Sequence, residues 1–423
     1  MAKMASIHAD QTTIPSDYLA SFVIHAGNNL DVLPTLPDNS VDSIVTDPPY
    51  ELGFMGKKWD NSGIAYSVEL WTECLRVLKP GGHLLAFSGS RTYHRMVVAI
   101  EDAGFDVRDM ISWISNKTFP KSLDVSKAID KAAGAEREVL STYSAAKQKG
   151  SLAWNGLDRT DGKGSGFGET ASITAPSTPE AQKWQGWGTG LKPTVEPIVM
   201  ARKPLIGTVA ANVLEYGTGA LNIDGSRIGT EPITINTFDT GAKPFGGAVG
   251  EPFTSRQSQG RWPANVILDE YSAGEVDEQS GTSQSPGGTR RVGGQNGIYK
   301  NGHSPDHVST RPSDSGGGAS RFFYVARASK RDRDEGLEGS NLHPTVKPTT
   351  LMRYLVKLVT PLGGTVLDPF TGSGSTGKAA ILEGFEFIGI EMTEEYLPII
   401  DARLKHAEQV RDQQEQAKDE GLF

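Results

Sequence analysis

TVLDPFTGSGSTGKAAILEGFEFIGIE, residues 365–391, holds the reading on which the fold turns. Thr365–Leu367 reads as a short strand, and the segment from Asp368 to Gly377 as a glycine loop. A short helix and a second strand, Phe385–Ile390, follow. Gly372, Gly374 and Gly377 let backbone N–H groups approach a ligand, and the N-terminus of the helix adds partial positive charge. Glu391 ends the second strand nineteen positions after Gly372, where an acid accepts hydrogen bonds from ribose hydroxyls. Gly372-x-Gly374-x-x-Gly377 matches a dinucleotide fingerprint, although Asp368-Pro369-Phe370-Thr371 separates the apolar strand from the first glycine. Gly372-x4-Gly377-Lys378 has the outline of a P-loop, but Ala379 stands where a Ser or Thr holds Mg²⁺, which argues against a nucleotide hydrolase. Asp368 suits a ligand with a cationic end, such as the ammonium of a methionine moiety. By itself the loop indicates an adenosine cofactor.

Outward from this loop, the first third of the chain alternates strands and helices. Val41–Thr46 is an apolar run ending at Asp47-Pro48-Pro49-Tyr50. A helix carrying Trp71, Cys74, Leu75 and Leu78 on one stripe is stopped by Lys79-Pro80-Gly81-Gly82, and His83–Phe87 reads as the next strand. A helix with Tyr93, Met96, Val97 and Ile100 on one face and the strand Val107–Ile114 follow. Glu196–Ala201 reads as another strand, and a helix after Pro348 aligns Leu351, Tyr354, Leu355 and Leu358. This alternation predicts an α/β fold, a mostly parallel sheet with helices on both faces.

Between these ordered ends the character changes. Residues 141–190 are rich in Gly, Ser, Thr and Lys, and residues 205–320 hold 21 of the 49 glycines without a sustained helical period. The second stretch reads as a loop-rich insert with short strands such as Asn265–Leu268, and part of 272–320 is expected to be disordered without a ligand. The 423 residues suffice for a large α/β domain and a second module. No apolar run is long enough to span a membrane, and Met1 to Tyr18 lacks the apolar core of a secretory signal. Cys74 is the only cysteine, which excludes an internal disulfide and a cysteine metal cluster and fits a reducing cytoplasm. No metal site is expected. The net charge of −9 does not exclude nucleic acid, because phosphate is bound by local basic patches. Nine Lys/Arg fall between Thr289 and Arg333, outnumbering the acids there.

Asp47-Pro48-Pro49-Tyr50 supplies chemistry at the carboxyl edge of the sheet. An exocyclic amine on a base is a poor nucleophile because its lone pair is delocalised into the ring. The Asp47 carboxylate and the Pro48 carbonyl form an acceptor pair for its two hydrogens, with Pro48-Pro49 fixing their geometry and Tyr50 offering a face for stacking. A base inside a duplex is out of reach, so the target is expected to be flipped out.

Val41–Tyr50, Asp368–Gly377 and His343-Pro344-Thr345-Val346-Lys347-Pro348 together resemble the beta group of S-adenosylmethionine-dependent amino-methyltransferases, in which the catalytic motif precedes the cofactor motif. Trp187–Pro204 and Arg321–Lys330 also resemble segments of phage and bacterial members, and the likeness spans roughly residues 20–204 and 321–405. The resemblance implies a Rossmann-like, seven-stranded methyltransferase sheet in circularly permuted order. Residues 1–204 would form its catalytic half, 321–423 its cofactor half, and 205–320 an inserted target-recognition module. It implies catalysis by Asp47, Pro48, Pro49 and Tyr50, and S-adenosylmethionine held by Asn28, Thr345, Lys347, Asp368, Phe370, Gly372, Gly374, Gly377 and Glu391. Gly27-Asn28 departs from the family's frequent Gly-Asp, though Asn still hydrogen-bonds a neutral adenine ring. Arg290, Arg291 and Arg311 are candidate contacts to phosphates and guanine edges of double-stranded DNA. A homodimer and a bacterial or phage-infected cytoplasm are expectations from the family alone.

Cys74 sits mid-helix between Glu73 and Leu75, so ring-carbon methylation through a cysteine is not indicated. That leaves adenine N6 or cytosine N4, and in this family an Asp at the first position of the motif favours adenine. RNA or a protein glutamine is the less fitting acceptor, given the long insert. Two other classes compete: a nicotinamide dehydrogenase, which leaves Asp47–Tyr50 unexplained, and a catalytically inactive DNA-binding protein, which would typically have lost Asp47 or Tyr50.

Overall fold

The computed structural model describes residues 21–52, 58–116, 122–144, 170–237, 254–284, 288–292, 307–311 and 316–420. The reading of Met1–Tyr18 and part of that of 272–320 fall outside these residues. In chain order the strands are β1 (Phe22–Ala26), β2 (Val41–Thr46), β3 (Leu78–Phe87), β4 (Asp106–Ile114), β5 (Val139–Ser144), β6 (Thr170–Thr174), β7 (Val195–Arg202) and β8 (Ile228–Thr237). They continue with β9 (Thr254–Arg261), β10 (Val266–Asp269), β11 (Gly288–Val292), β12 (His307–Arg311), β13 (Tyr324–Ala326), β14 (Thr365–Asp368) and β15 (Glu386–Glu391). The helices are α1 (Asn29–Val32), α2 (Val68–Val77), α3 (Tyr93–Asp102), α4 (Val125–Ala132), α5 (Pro179–Lys183) and α6 (Val209–Tyr216). The later ones are α7 (Glu270–Ser280), α8 (Lys330–Asp334), α9 (Thr349–Val359), α10 (Ser375–Leu382) and α11 (Leu397–Asp419).

Nine strands make one sheet in the order β1-β15-β14-β2-β3-β7-β4-β10-β13, two more than the seven expected. The added pair, β10 and β13, is recruited because Val266–Leu268 continues the parallel ladder beyond Ser112–Ile114 of β4. Only β7 runs antiparallel to its neighbours in this sheet. Alternate residues of the central strands feed two cores, as the period of two requires. Val45, Leu85, Phe87, Val366 and Phe387 pack under α9, α10 and α11. Ile44, Leu84, Ala86, Leu367 and Ile390 pack under α2 and α3. Every residue of β2 is buried, so a one-residue slip would exchange the contents of the two cores.

Local chemistry explains where the elements end, and where sequence boundaries shift. Ser67 caps α2 by accepting from the Leu70 N–H, and Leu78, expected on the helix stripe, instead opens β3. Lys79–Gly82 therefore lies inside the strand, where the pairing register with β2 shifts between Val41 and Ser43. Gly81 is left-handed there, and a side chain would strike the buried Asn212, whose amide donates to the carbonyls of Pro80 and Thr218.

The polar stretch around 141–190 contains a small substructure that composition did not reveal. Asp130, fully buried on α4, accepts from the Ser177 and Thr178 backbone N–H groups, the Thr178 hydroxyl and the Arg137 guanidinium. This ties α4 to α5 and to the β5–β6 hairpin. The loop-rich reading of 205–320 is also corrected in part, since it contains α6 and α7. α7 is capped by Asp269, which accepts from the Ser272 N–H, and ends at Gly281.

Gly377 is a packing position within α10. A Cβ there would lie 2.5 Å from the Phe387 ring and 2.8 Å from Leu404. Gly377→Ala gains about 1 kcal/mol of helix propensity but overpacks the contact between α10, β15 and α11, at a cost of about 1–3 kcal/mol. The expected outcome is a net loss of stability, seen as a lower urea midpoint with an unchanged slope.

Candidate active site

Parallel pairing places the carboxyl ends of β2 and β14 side by side, with Ile44 opposite Leu367. Just beyond that register the Thr46 hydroxyl donates to Asp368 Oδ1 at 2.6 Å, joining residues 322 apart in the chain. The two loops that leave these strands wall a cavity of about 540 Å³. Asp47, Pro49, Thr345 and Lys347 line one part of it, and Asn28, Asp368, Phe370, Gly372 and Glu391 another.

The turn after β2 is held from several sides. The buried Asp60 carboxylate accepts from the backbone N–H groups of Glu51 and Leu52 at 3.0 and 3.3 Å. Glu51 adopts a left-handed conformation with φ 55°, a strain of about 1–3 kcal/mol, and its carboxylate accepts from the Gly63 N–H at 2.8 Å. The Thr92 hydroxyl donates to the Tyr50 carbonyl, and Gly89 leaves room for the Tyr50 ring, since a Cβ there would come within 3.3 Å of it.

Lys347, expected among the cofactor ligands, lines the cavity, and its ammonium contacts Asp47, Tyr50 and Glu196. It donates to Asp47 Oδ2 at 2.8 Å and to the Tyr50 hydroxyl at 3.0 Å, and pairs with Glu196 Oε2 at 3.2 Å. The Tyr50 hydroxyl in turn donates to Glu196 Oε2 at 2.8 Å. The ammonium also lies 4.7 Å from the Phe87 ring centroid and 5.3 Å from that of Tyr50. Asp47 Oδ1 is buried and has no hydrogen-bond partner. Burial pushes the Asp47 carboxyl above its ordinary range against the opposing pull of Lys347. Burial works against the Lys347 ammonium, but the charges of Asp47 and Glu196 prevail and raise its pKa. Burial and the same two carboxylates drive the Tyr50 hydroxyl well above 10, so it remains protonated. With both carboxylates and the ammonium ionised, the cluster carries one net negative charge.

The glycine loop divides its labour. Gly372, with φ 54°, forms the wall; a Cβ on it would lie 3.0 Å from His343 Nε2. Gly374 caps α10 in a left-handed conformation and packs against Ile400, while Gly372, Ser373, Ser375 and Thr376 of the same loop line the cavity. Lys378 is buried and turned away onto Asp332 and Glu335, at 2.9 and 2.8 Å, and so has no phosphate-binding disposition. Glu391 accepts from the N–H groups of Gly372 and Thr393 at 2.8 and 2.7 Å, which aims its carboxylate and leaves each oxygen a further lone pair. Asn28 lines the cavity while its side chain caps α1 through the Leu30 N–H. His343 packs edge-on against Tyr396, and burial lowers its pKa to about 4, so it is neutral.

Arg290, Arg291 and Arg311 belong to the β11–β12 hairpin, Gly288 pairing with Arg311, and their side chains lie outside what the structure describes. Cys74 is a core residue of α2 whose thiol is pushed far above its ordinary range by burial. Among the described residues no group of three or more His, Cys, Asp or Glu could hold a metal ion, and no helix is long and apolar enough to cross a membrane. Sequence reasoning passed over Glu196 and Asp60 as site residues. Glu196 is the second residue of β7, and its isolated charge beside an apolar run was the available signal.

Residues 41–402 match the DNA methylase family N6_N4_Mtase. The chain belongs to this DNA methylase family. Type II methyltransferase M.HindIII of Haemophilus influenzae is 28% identical over 159 residues, 37% of this chain and 38% of that protein. The Escherichia coli (strain K12) protein YubD, described as a methylase, is 48% identical over 58 residues, 14% of this chain and 26% of that protein. The chain thus spans well under half the length of these curated relatives. The solved PvuII DNA methyltransferase (cytosine-N4-specific) aligns at a TM-score of 0.42 with 13% identity, covering 91% of this chain and 86% of that one.

Members of the N6_N4 family use S-adenosylmethionine. The cavity fits that group: Gly372 leaves a cradle that a Cβ would narrow against His343, and carboxylates stand on its wall at Asp368 and Glu391. Burial pushes the Asp368 carboxyl up to about 6, against the hydroxyls of Thr46 and Thr376 and the Phe370 N–H, which favour its ionised form. A cationic ligand needs that ionised form, so affinity for S-adenosylmethionine is expected to weaken as pH falls through about 6, by up to about tenfold per pH unit. Calorimetric titration should show this slope in the wild type, and a weaker, nearly pH-independent affinity in Asp368→Asn.

Proposed function

We propose that the chain is an S-adenosylmethionine-dependent DNA methyltransferase that modifies the exocyclic N6 of adenine in duplex DNA after rotating the base out of the helix. The observation that carries this reading is Asp47 Oδ1, a buried carboxylate oxygen without a partner, beside a cavity whose far wall is the glycine loop. A buried acceptor left unmade costs about 1–3 kcal/mol, and an amine hydrogen is the donor it lacks. S-adenosylmethionine, when bound, supplies an electrophilic methyl on a sulfonium centre.

This chain's own residues do the rest. Asp47 Oδ1 and the Pro48 carbonyl take the two amine hydrogens and turn the nitrogen lone pair away from conjugation with the ring. Tyr50, its hydroxyl fixed by Glu196, offers its ring as a stacking face. The nitrogen becomes cationic as it acquires the methyl, and the net negative charge of the Asp47–Lys347–Glu196 cluster favours that state. Asp47, its basicity raised by burial, is the acceptor for the proton the nitrogen then sheds. Adenine is preferred over cytosine because the motif begins with Asp.

The motif order, catalytic before cofactor, supports a beta-group reading, in which β1, β15, β14, β2, β3, β7 and β4 would be the seven-stranded core. Residues 1–204 and 321–423 are the catalytic and cofactor halves, and 205–320 is the target-recognition module. Arg290, Arg291 and Arg311 on its β11–β12 hairpin are the proposed DNA contacts.

Incubation with labelled S-adenosylmethionine and unmethylated duplex DNA, followed by nucleoside mass spectrometry, should yield N6-methyladenine. Asp47→Ala should lose roughly 10²–10⁴-fold in rate while still binding the cofactor. N4-methylcytosine would overturn the base assignment, and an Asp47→Ala enzyme as fast as wild type would overturn the mechanism.

A further inference from the structure

Lys347 raises a difficulty for the chemistry just described, on which this inference rests. Its ammonium occupies Asp47 Oδ2 at 2.8 Å, and a carboxylate held in an ion pair is a weaker acceptor for an incoming amine and a weaker base for the proton that nitrogen must lose. Glu196 Oε2 lies 3.2 Å from the same ammonium. It reaches the site from β7, the antiparallel strand beside β3, at a position where the chain has just entered the sheet. Lys347 is 11% exposed and Glu196 25%, so the exchange takes place in a shielded site where pairing is strong.

We propose that Glu196 is a positioning residue for methyl transfer, the second anchor of the Lys347 ammonium, which draws that charge from Asp47 Oδ2 as the target amine arrives. The required movement is small, because Nζ already lies 3.2 Å from Glu196 Oε2. Lys347 thus offsets part of the negative charge of Asp47 and Glu196, and Glu196 frees Asp47 when the amine is in place. The amine nitrogen forms the new N–C bond as the S–C bond breaks with its electron pair on sulfur. The proton leaving nitrogen passes to Asp47 and thence to solvent, and Lys347 returns to Asp47 Oδ2. Tyr50 follows the same anchor, since its hydroxyl donates to the oxygen that holds the ammonium.

Four groups face Asp47 and set its protonation: Lys347 from the loop before α9, Glu196 from β7, Tyr50 from its own turn and Asp368 from β14. Glu196→Gln preserves an acceptor for Tyr50 but deletes the charge, so Lys347 settles wholly on Asp47. Steady-state methylation of unmethylated duplex DNA is expected to show kcat lowered roughly 10- to 100-fold, with the KM for DNA and the calorimetric affinity for S-adenosylmethionine within about twofold of wild type. The acidic limb of the kcat–pH profile should move to lower pH, because removing a neighbouring negative charge makes Asp47 a stronger acid. The decisive variant is the double substitution Glu196→Gln with Lys347→Met. With no ammonium left to settle on Asp47, it should run at least about tenfold faster than Glu196→Gln alone, a non-additivity that a structural role does not produce. A Glu196→Gln enzyme with wild-type kcat, one that has lost cofactor affinity in parallel with rate, or a double variant no faster than the single one would overturn the proposal. A wild-type chain that methylates no DNA would instead overturn the functional reading beneath it.

Discussion

The hydrogen bond from the Thr46 hydroxyl to Asp368 is the joint on which the site depends. It lies where two parallel strands end side by side, so the loop leaving β2 and the loop leaving β14 emerge into the same space. One brings Asp47 and Tyr50, and the other brings Gly372 and the start of α10. Neither loop has a reason to be near the other except strand adjacency. Everything that follows, from the cavity to the Lys347 cluster, inherits its geometry from this pair of neighbouring ladders and from the two cores that clamp them.

Around this joint the protein accumulates negative charge: Asp47, Asp368 and Glu391 line one cavity, and Lys347 is the cation that bridges Asp47 to Glu196. Grouping carboxylates in a shielded place is costly unless each is held. Glu391 is held by two backbone N–H groups, Asp368 by a hydroxyl and a backbone N–H, and Glu196 and half of Asp47 by the ammonium. Among the described carboxylates, Asp47 Oδ1 is a buried oxygen left without a partner. Such an assembly suits a reaction whose partners are cationic at one end and become cationic at the other.

The motifs were legible in sequence because their chemistry is local. Glycines before a helix and an acid ending the next strand announce a ligand loop whatever surrounds them, and the alternating apolar runs of Val41–Thr46 and Thr365–Leu367 announce buried strands. What stayed hidden depends on partners distant in the chain. Gly377 matched a cofactor fingerprint, but its lack of a side chain serves Phe387 and Leu404. Lys347 came with a cofactor motif, yet its ammonium answers to Asp47, 300 residues earlier. Glu196 looked like the polar start of a strand until β7 was placed antiparallel beside β3. Asp130 organises α4, α5 and a hairpin through hydrogen bonds to Ser177 and Thr178, a pattern that composition scores as loop.

The sheet also dictates when, during folding, a site exists at all. β1 is completed by β15, Phe22 pairing with Phe387, and β2 by β14. Contacts this distant in sequence close last and slowly, because a long loop's entropy must be lost before any pairing repays it. A chain lacking its final strands has the Asp47 turn without the glycine loop, and β2 without its neighbour on one side. The cavity therefore has only one of its two walls until β14 and β15 have joined β2 and β1.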